Sequence, residues 1–130
     1  MRIKRLRSRN GFSLAELLVA VFVLTVGISS ALLFFTNTIA ALQYARDSTI
    51  ATSHAEYIFE EMQTRSSLSN ITTTNWGTWF GNQSLGTLPS ESVSVTFVNA
   101  AAKPLDTTAT VSWTRNTRNN NVALTTRITK

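Results

Sequence analysis

From Leu17 to Phe35 the chain is apolar except for Thr25, Gly27, Ser29 and Ser30. This run constrains the fold more than any other feature. Phe12–Phe35 is 24 residues, about 36 Å of helix at ~1.5 Å per residue, enough to cross a bilayer core. One carboxylate, Glu16, lies just inside the run, and a basic segment precedes it. A charge at the centre of a membrane helix costs roughly 2.5–3.5 kcal/mol, and less near the interface, so an ionisable residue kept there points to a function.

The overall charge of +5 suggests nucleic acid until its distribution is read. Arg2, Lys4, Arg5, Arg7 and Arg9 are five of the twelve basic side chains, and the remaining seven equal the seven acidic ones. Beyond residue 11 the formal balance is zero, with no basic stripe, so direct nucleic-acid binding is not expected. The basic flank instead orients the span: Lys and Arg hold their side in the cytoplasm and send the residues after Phe35 across the membrane. Cysteine is absent, so no disulfide staples the extracytoplasmic part.

The segment Arg9-Asn-Gly-Phe-Ser-Leu-Ala-Glu16, followed by the apolar helix, resembles the N-terminal motif of type IV prepilins and the related secretion pseudopilins. Gly11, Phe12, Ser13, Leu14 and Glu16 carry the resemblance, which is specific in order, spacing and flanking charge but covers only the N-terminal part of the chain. It implies that a membrane-embedded prepilin peptidase and methyltransferase cuts between Gly11 and Phe12 and methylates the new Phe12 amine. It also implies that Glu16 pairs with the terminal amine of a neighbouring subunit. Physical chemistry agrees. Glycine presents no side chain to a protease cleft, and an amine and a carboxylate facing each other in lipid each lower the cost of burying the other. Many major pilins close a C-terminal loop with a disulfide. The lack of cysteine points to a minor subunit, a pseudopilin or a lineage without that device. Many relatives carry a proline about where Leu33 falls, and Gly27-Ile28-Ser29-Ser30 is the remaining soft point here.

The helix is expected to continue past the membrane. Thr36–Arg65 contains no Pro or Gly, and Ala51, Ala55, Ile58, Phe59 and Met62 follow an i, i+4, i+7, i+8, i+11 pattern. Residues 66–90 read as a connection rich in Ser, Thr, Asn and Gly, with Trp76, Trp79, Phe80 and Leu85 folded onto the core. Three alternating segments follow: Val93/Val95/Phe97, Ala109/Val111/Trp113 and Val122/Leu124/Thr126/Ile128. Ala100–Asp106 joins the first two, and Asn116–Asn121 is expected to be a polar turn between the last two. The expected fold is α+β and pilin-like: one long N-terminal helix, half membrane and half amphipathic, packed against a small antiparallel sheet of about three strands. Its divisions are a leader, 1–11; a membrane and assembly helix, 12–35; an amphipathic continuation, 36–65; and a connection plus sheet, 66–130.

No catalytic constellation emerges, and no cofactor is expected. His54, the only histidine, has no cysteine or second histidine to complete a metal site and is expected as a semi-exposed helix residue. Glu56 faces another side of the helix, and the adjacent Glu60 and Glu61 diverge into solvent. Asp106 is expected to shape a turn rather than bind calcium. Ser13 has no general base beside it. Trp76 and Trp79 either form an exposed sticky patch or cover the sheet and helix. The chain reads as a substrate of enzymes and not as an enzyme.

The expected role is a structural subunit of a pilus or pseudopilus serving adhesion, motility, secretion or DNA uptake. Its partners would be the peptidase and methyltransferase, other pilin or pseudopilin subunits, an inner-membrane assembly platform and, before assembly, the bilayer. It would sit in the cytoplasmic membrane with its head outside until it joins the fibre. Two rivals are distinct: an anchored extracytoplasmic binding domain that never polymerises, and a secreted binding domain cut by ordinary signal peptidase near Ala31, at the small-residue run Ser29-Ser30-Ala31.

Overall fold

A computed structural model describes residues 13–130. The leader and the Gly11–Phe12 pair therefore lie outside the described residues. The arrangement is α+β, with one long N-terminal helix packed on a three-stranded antiparallel sheet. The chain divides into two units, one ending at Ala41 and the other comprising Leu42–Lys130. Helix α1, Leu14–Thr64, contributes to both.

In the first unit α1 is exposed throughout, including Leu17, Phe22, Leu24, Leu32, Phe34 and Phe35. Its hydroxyls turn back on their own helix. Thr25 donates to Phe22 O at 2.8 Å, Ser29 to Thr25 O at 2.8 Å, Ser30 to Val26 O at 2.8 Å, Thr36 to Leu33 O at 2.9 Å and Thr38 to Phe34 O at 2.9 Å. Such bonds satisfy a polar side chain where lipid offers no partner. Among the described residues, α1 is the one helix long and apolar enough to cross a membrane.

In the second unit α1 buries one stripe: Asp47, Ala51, Ala55, Ile58 and Met62. Ala51 and Ala55 pack with Ala109, Val111, Trp113 and Leu88, where small helix residues allow close approach to the sheet. One turn on, Ile58 and Met62 join Ile71, Trp76, Phe80, Leu105 and Ile128 in a second cluster. Phe59, Val93 and Val95 pack against both clusters and make the core continuous.

The stretch after α1 holds two short helices that hydrophobic periodicity does not reveal: α2, Leu68–Thr73, and α3, Trp76–Asn82. Their starts are chemically marked. Ser67 Oγ accepts from Asn70 N–H at 3.3 Å, and Asn75 Oδ1 accepts from Thr78 N–H at 3.1 Å, each occupying an otherwise orphaned helix donor. Trp76 is buried and its indole Nε1–H donates to Ile71 O at 2.9 Å. Trp79 is half-buried and stacks on Tyr57, so the pair covers the core more than it forms an open patch. Gly77 lets α3 lie against β1, because a Cβ there would come within 2.7 Å of Val93 O.

The strands are β1, Ser92–Phe97; β2, Leu105–Arg115; and β3, Arg118–Ile128, in spatial order β1-β2-β3 with antiparallel pairing. Burial alternates strictly along β2, with Leu105, Thr107, Ala109, Val111 and Trp113 inward. The turn between β2 and β3 is shorter than expected. It comprises Asn116 and Thr117, at φ 50° and 64°, between the paired Arg115 and Arg118. Positive φ at both positions gives a two-residue hairpin whose twist matches its strands. Asn119–Asn121 therefore lie in β3, opposite Thr114–Ser112, despite their turn-like composition. The ladder supplies their backbone partners, and Thr114 Oγ1 donates to Asn119 Oδ1 at 2.9 Å.

Two long-range polar ties hold α1 to the sheet. Near the hairpin, Arg115 grips the buried Asp47 carboxylate through Nε at 2.5 Å and a second guanidinium nitrogen at 3.1 Å. At the other end, Lys130 Nζ donates to Gln63 O at 2.6 Å and to Arg65 O, supplying the cation that the last turn of α1 lacks. Removing Arg115 strands a buried carboxylate. Arg115→Ala is expected to cost about 2–3 kcal/mol, below the figure for fully buried pairs because the arginine is partly solvated. Denaturant unfolding checks this, and Asp47→Leu with Arg115→Met should recover most of the loss.

Candidate functional site

The sole charged side chain of the first unit's described part is Glu16, in the first turn of α1. Ser13 precedes the helix and Glu16 stands three residues on. Glu16 N–H donates to Ser13 Oγ at 3.2 Å, and Ser13 N–H donates to Glu16 Oε2 at 3.4 Å. Leu17 N–H closes the first backbone turn on Ser13 O at 3.1 Å. This is a reciprocal capping box, which occupies two donors that a helix start leaves orphaned. The same exchange gives a carboxylate beside a helix apolar enough to cross a membrane a partner within its own chain. The Ser-x-x-Glu spacing before an apolar run was the available signal, and reading Glu16 only as an intersubunit partner overlooked it.

Glu16 is exposed, as are the apolar side chains that follow it. The carboxylate and the apolar surface are thus both open to lipid or to other helices. Gly11 and Phe12, the expected cleavage and methylation positions, lie outside the described residues.

The second unit holds the other titratable groups among the described residues, and the structure adds to one reading there and revises another. His54 is a half-buried helix residue, as expected, and it also has side-chain partners. Its Nδ1 lies 2.6 Å from Glu91 Oε1, and its ring sits 5.2 Å from that of Phe80. Glu91 Oε2 accepts from Thr87 and Leu88 N–H, both at 3.0 Å. The carboxylate thereby ties α1 to the turn leading into β1. Glu91 is 37 positions from His54, and nothing in the local spacing announces it.

Asp106 shapes no turn. It lies in β2 directly opposite Arg127 of β3, and its carboxylate accepts two hydrogen bonds from that guanidinium, at 2.7 and 3.2 Å. The Arg127 hydrogen bond, opposed by desolvation and aided by the opposite charge, holds the Asp106 carboxyl below its ordinary range. The same bond raises Arg127. A lowered folded value means that the pair stabilises the fold above the ordinary aspartate range and loses that effect as pH falls through the folded value. Asp106→Asn is therefore expected to flatten slightly the acid limb of a stability–pH curve. The difference should shrink in high salt, since the pair is exposed.

Glu61 pairs with Arg65 at 3.0 Å, one helical turn away, while Glu56 and Glu60 are exposed. Arg65 also lies over the Trp76 ring, 5.6 Å from its centroid. Among the described residues, no three His, Asp or Glu side chains gather in one place.

Residues 6–32 match the prokaryotic N-terminal methylation motif, the signature of type IV prepilins and pseudopilins. The matched stretch contains Gly11, Phe12, Ser13 and Glu16 and ends within the apolar part of α1. The motif supports a type IV pilin-like precursor, and with the long apolar helix it is consistent with membrane anchorage. No curated protein and no solved structure matches the chain.

Proposed function

We propose that this chain is a structural subunit of the type IV pilin class, a minor subunit, made as a membrane-anchored precursor and built into a pilus or pseudopilus. One coincidence carries the reading: the methylation motif at residues 6–32 overlaps the exposed first-unit part of α1, whose hydroxyls are satisfied internally and whose single carboxylate sits in its first turn. Prepilin peptidase cuts between Gly11 and Phe12 on the cytoplasmic face, and Phe12 becomes the methylated terminus. Residues 12–35 then hold the protein in the inner membrane as a single pass, with 36–130 outside. On assembly by the inner-membrane platform, the apolar helix exchanges lipid for neighbouring subunits. Glu16 exchanges its bond to Ser13 N–H for a neighbour's terminal amine. The role needs no catalysis and no cofactor.

Intact mass and N-terminal sequencing of the membrane-associated protein test this. The expected chain begins at N-methylated Phe12. A chain beginning at Met1 leaves an anchored binding domain that never polymerises. One beginning near Leu32 leaves a secreted domain released by ordinary signal peptidase. Either result overturns the proposal.

A further inference from the structure

The sheet ends in two edges, and α3 lies over one of them. Val98 N–H donates to Asp106 O at 3.2 Å and Thr114 N–H to Pro89 O at 3.0 Å, so the even-numbered residues of β2 turn their backbone towards β1. The odd-numbered ones therefore bond to β3, where Asn120, Val122, Leu124 and Thr126 stand opposite them. The backbone groups of Asn119, Asn121, Ala123, Thr125 and Arg127 are left pointing to the free edge of β3, and no described strand pairs with them. On β1 the outward groups include Val93 O, and α3 covers it at Gly77. The β3 edge carries none of the usual guards: no proline, no bulge in its register and no charge between Arg118 and Arg127. Val122 and Leu124, on its core face, are only partly buried.

We infer that this edge pairs with the same edge of a second copy of the chain, antiparallel and centred on Ala123, joining two three-stranded sheets into one. The residue order is self-complementary about that point. Ala123 meets its own mate, Asn121 meets Thr125 and Asn119 meets Arg127. Each of these pairs exchanges two hydrogen bonds through its outward backbone groups, about ten in all. On the core face Val122 meets Leu124 on both sides of the centre and Asn120 meets Thr126, so apolar side chains touch apolar ones and polar touch polar. Moving the centre by two residues sets Asn120 against Val122, or Leu124 against Thr126, and loses that match. A small side chain, Ala123, stands on the two-fold axis, where two identical residues must face each other. Arg127 is already paired with Asp106 and falls opposite Asn119, so like charges do not meet. Direction adds a constraint. Asp47 meets Arg115 at the hairpin and Gln63 meets Lys130 at the far end, so α1 and β3 run in the same sense within the second unit. In an antiparallel pair the two α1 segments run in opposite senses. The copies therefore come from separate bilayers or fibres, and only this clause rests on the anchorage proposed above.

The test uses the full chain in phospholipid nanodiscs loaded with one copy each, followed by sedimentation velocity over a range of protein concentrations. Concentration-dependent pairing of discs is expected. Ala123→Pro removes an N–H that no described residue accepts, at a position where an edge strand tolerates proline. It is expected to weaken pairing at least about tenfold, the scale of two lost hydrogen bonds. Ala123→Lys leaves the backbone bonds in place, sets two like charges face to face and is expected to do the same. The lysine variant decides the matter should the proline variant not fold. The chain has no cysteine, so single cysteines report the register. Ala123→Cys is expected to cross-link under mild oxidation, since directly bonded pairs hold their Cα atoms about 5.5 Å apart, within disulfide reach. Asn119→Cys lies about 27 Å from its mate at strand rise and should not cross-link. Three results each overturn the inference: discs that stay single at every concentration, pairing that survives both Ala123→Pro and Ala123→Lys, and cross-linking as strong through position 119 as through position 123. None of these readouts needs a fibre or a processed terminus, so the inference and the pilin reading fail separately.

Discussion

Glu16→Ala is expected to leave the chain anchored and processed but to lower its incorporation into fibres by more than about 100-fold, the scale of breaking a buried ion pair by removing one partner. Two roles meet in this carboxylate. Within the chain it accepts from Ser13 N–H and completes the capping box, and in the proposed fibre it meets a neighbour's terminal amine. Glu16→Gln separates them. Glutamine keeps a capping-box acceptor at the third helical position but carries no charge. The Gln variant is therefore expected to fail in assembly as Ala does, while amide exchange at the start of α1 stays close to that of the unsubstituted protein. Sheared-fibre recovery and hydrogen exchange in nanodiscs measure the two effects apart. A Gln variant that assembles normally would mean that helix capping, and not charge pairing, is what Glu16 contributes.

Ile58→Ala is expected to destabilise the second unit by roughly 2–5 kcal/mol, the loss of transfer energy plus the cavity left behind. For a unit of this size that lowers Tm by roughly 10–40 °C. Ile58 is fully buried in the cluster with Met62, Ile71, Trp76, Phe80, Leu105 and Ile128, so no neighbour can fill the gap without leaving its own rotamer. Phe34→Ala provides the contrast. It deletes a larger apolar side chain from the same helix, yet Phe34 is 68% exposed and belongs to the other unit. Its loss is expected to leave the Tm of the second unit unchanged and to weaken membrane retention instead. Thermal unfolding and membrane fractionation of the two variants give opposite rankings if one helix serves two solvents.

Much of the architecture was legible because it is written at short range. A membrane span is a matter of composition over some twenty residues, and the stripe Ala51, Ala55, Ile58, Met62 follows from a helical period that any window reveals. Strand alternation at Ala109, Val111 and Trp113 likewise needs no partner to be read. Ser13 and Glu16 belong with these, since their spacing alone specifies the capping box. The short helices α2 and α3 rest on single cap residues, Ser67 and Asn75, and carry too few turns for periodicity to register. The compositional reading of Asn116–Asn121 failed because the pair Asn116–Thr117 already completes the reversal, so register draws the following asparagines into β3.

The chain by itself determined where an apolar helix long enough to cross a membrane lies, that the helix runs on from it, which helix face is apolar and that a small antiparallel sheet follows. Only the tertiary structure decided which distant polar groups meet. Asp47 and Arg115 stand 68 positions apart, Lys130 and Gln63 67, His54 and Glu91 37. Local signals repeat with the period of the backbone, whereas a side-chain pair depends on the crossing of separate elements, and that geometry exists only once the core has packed.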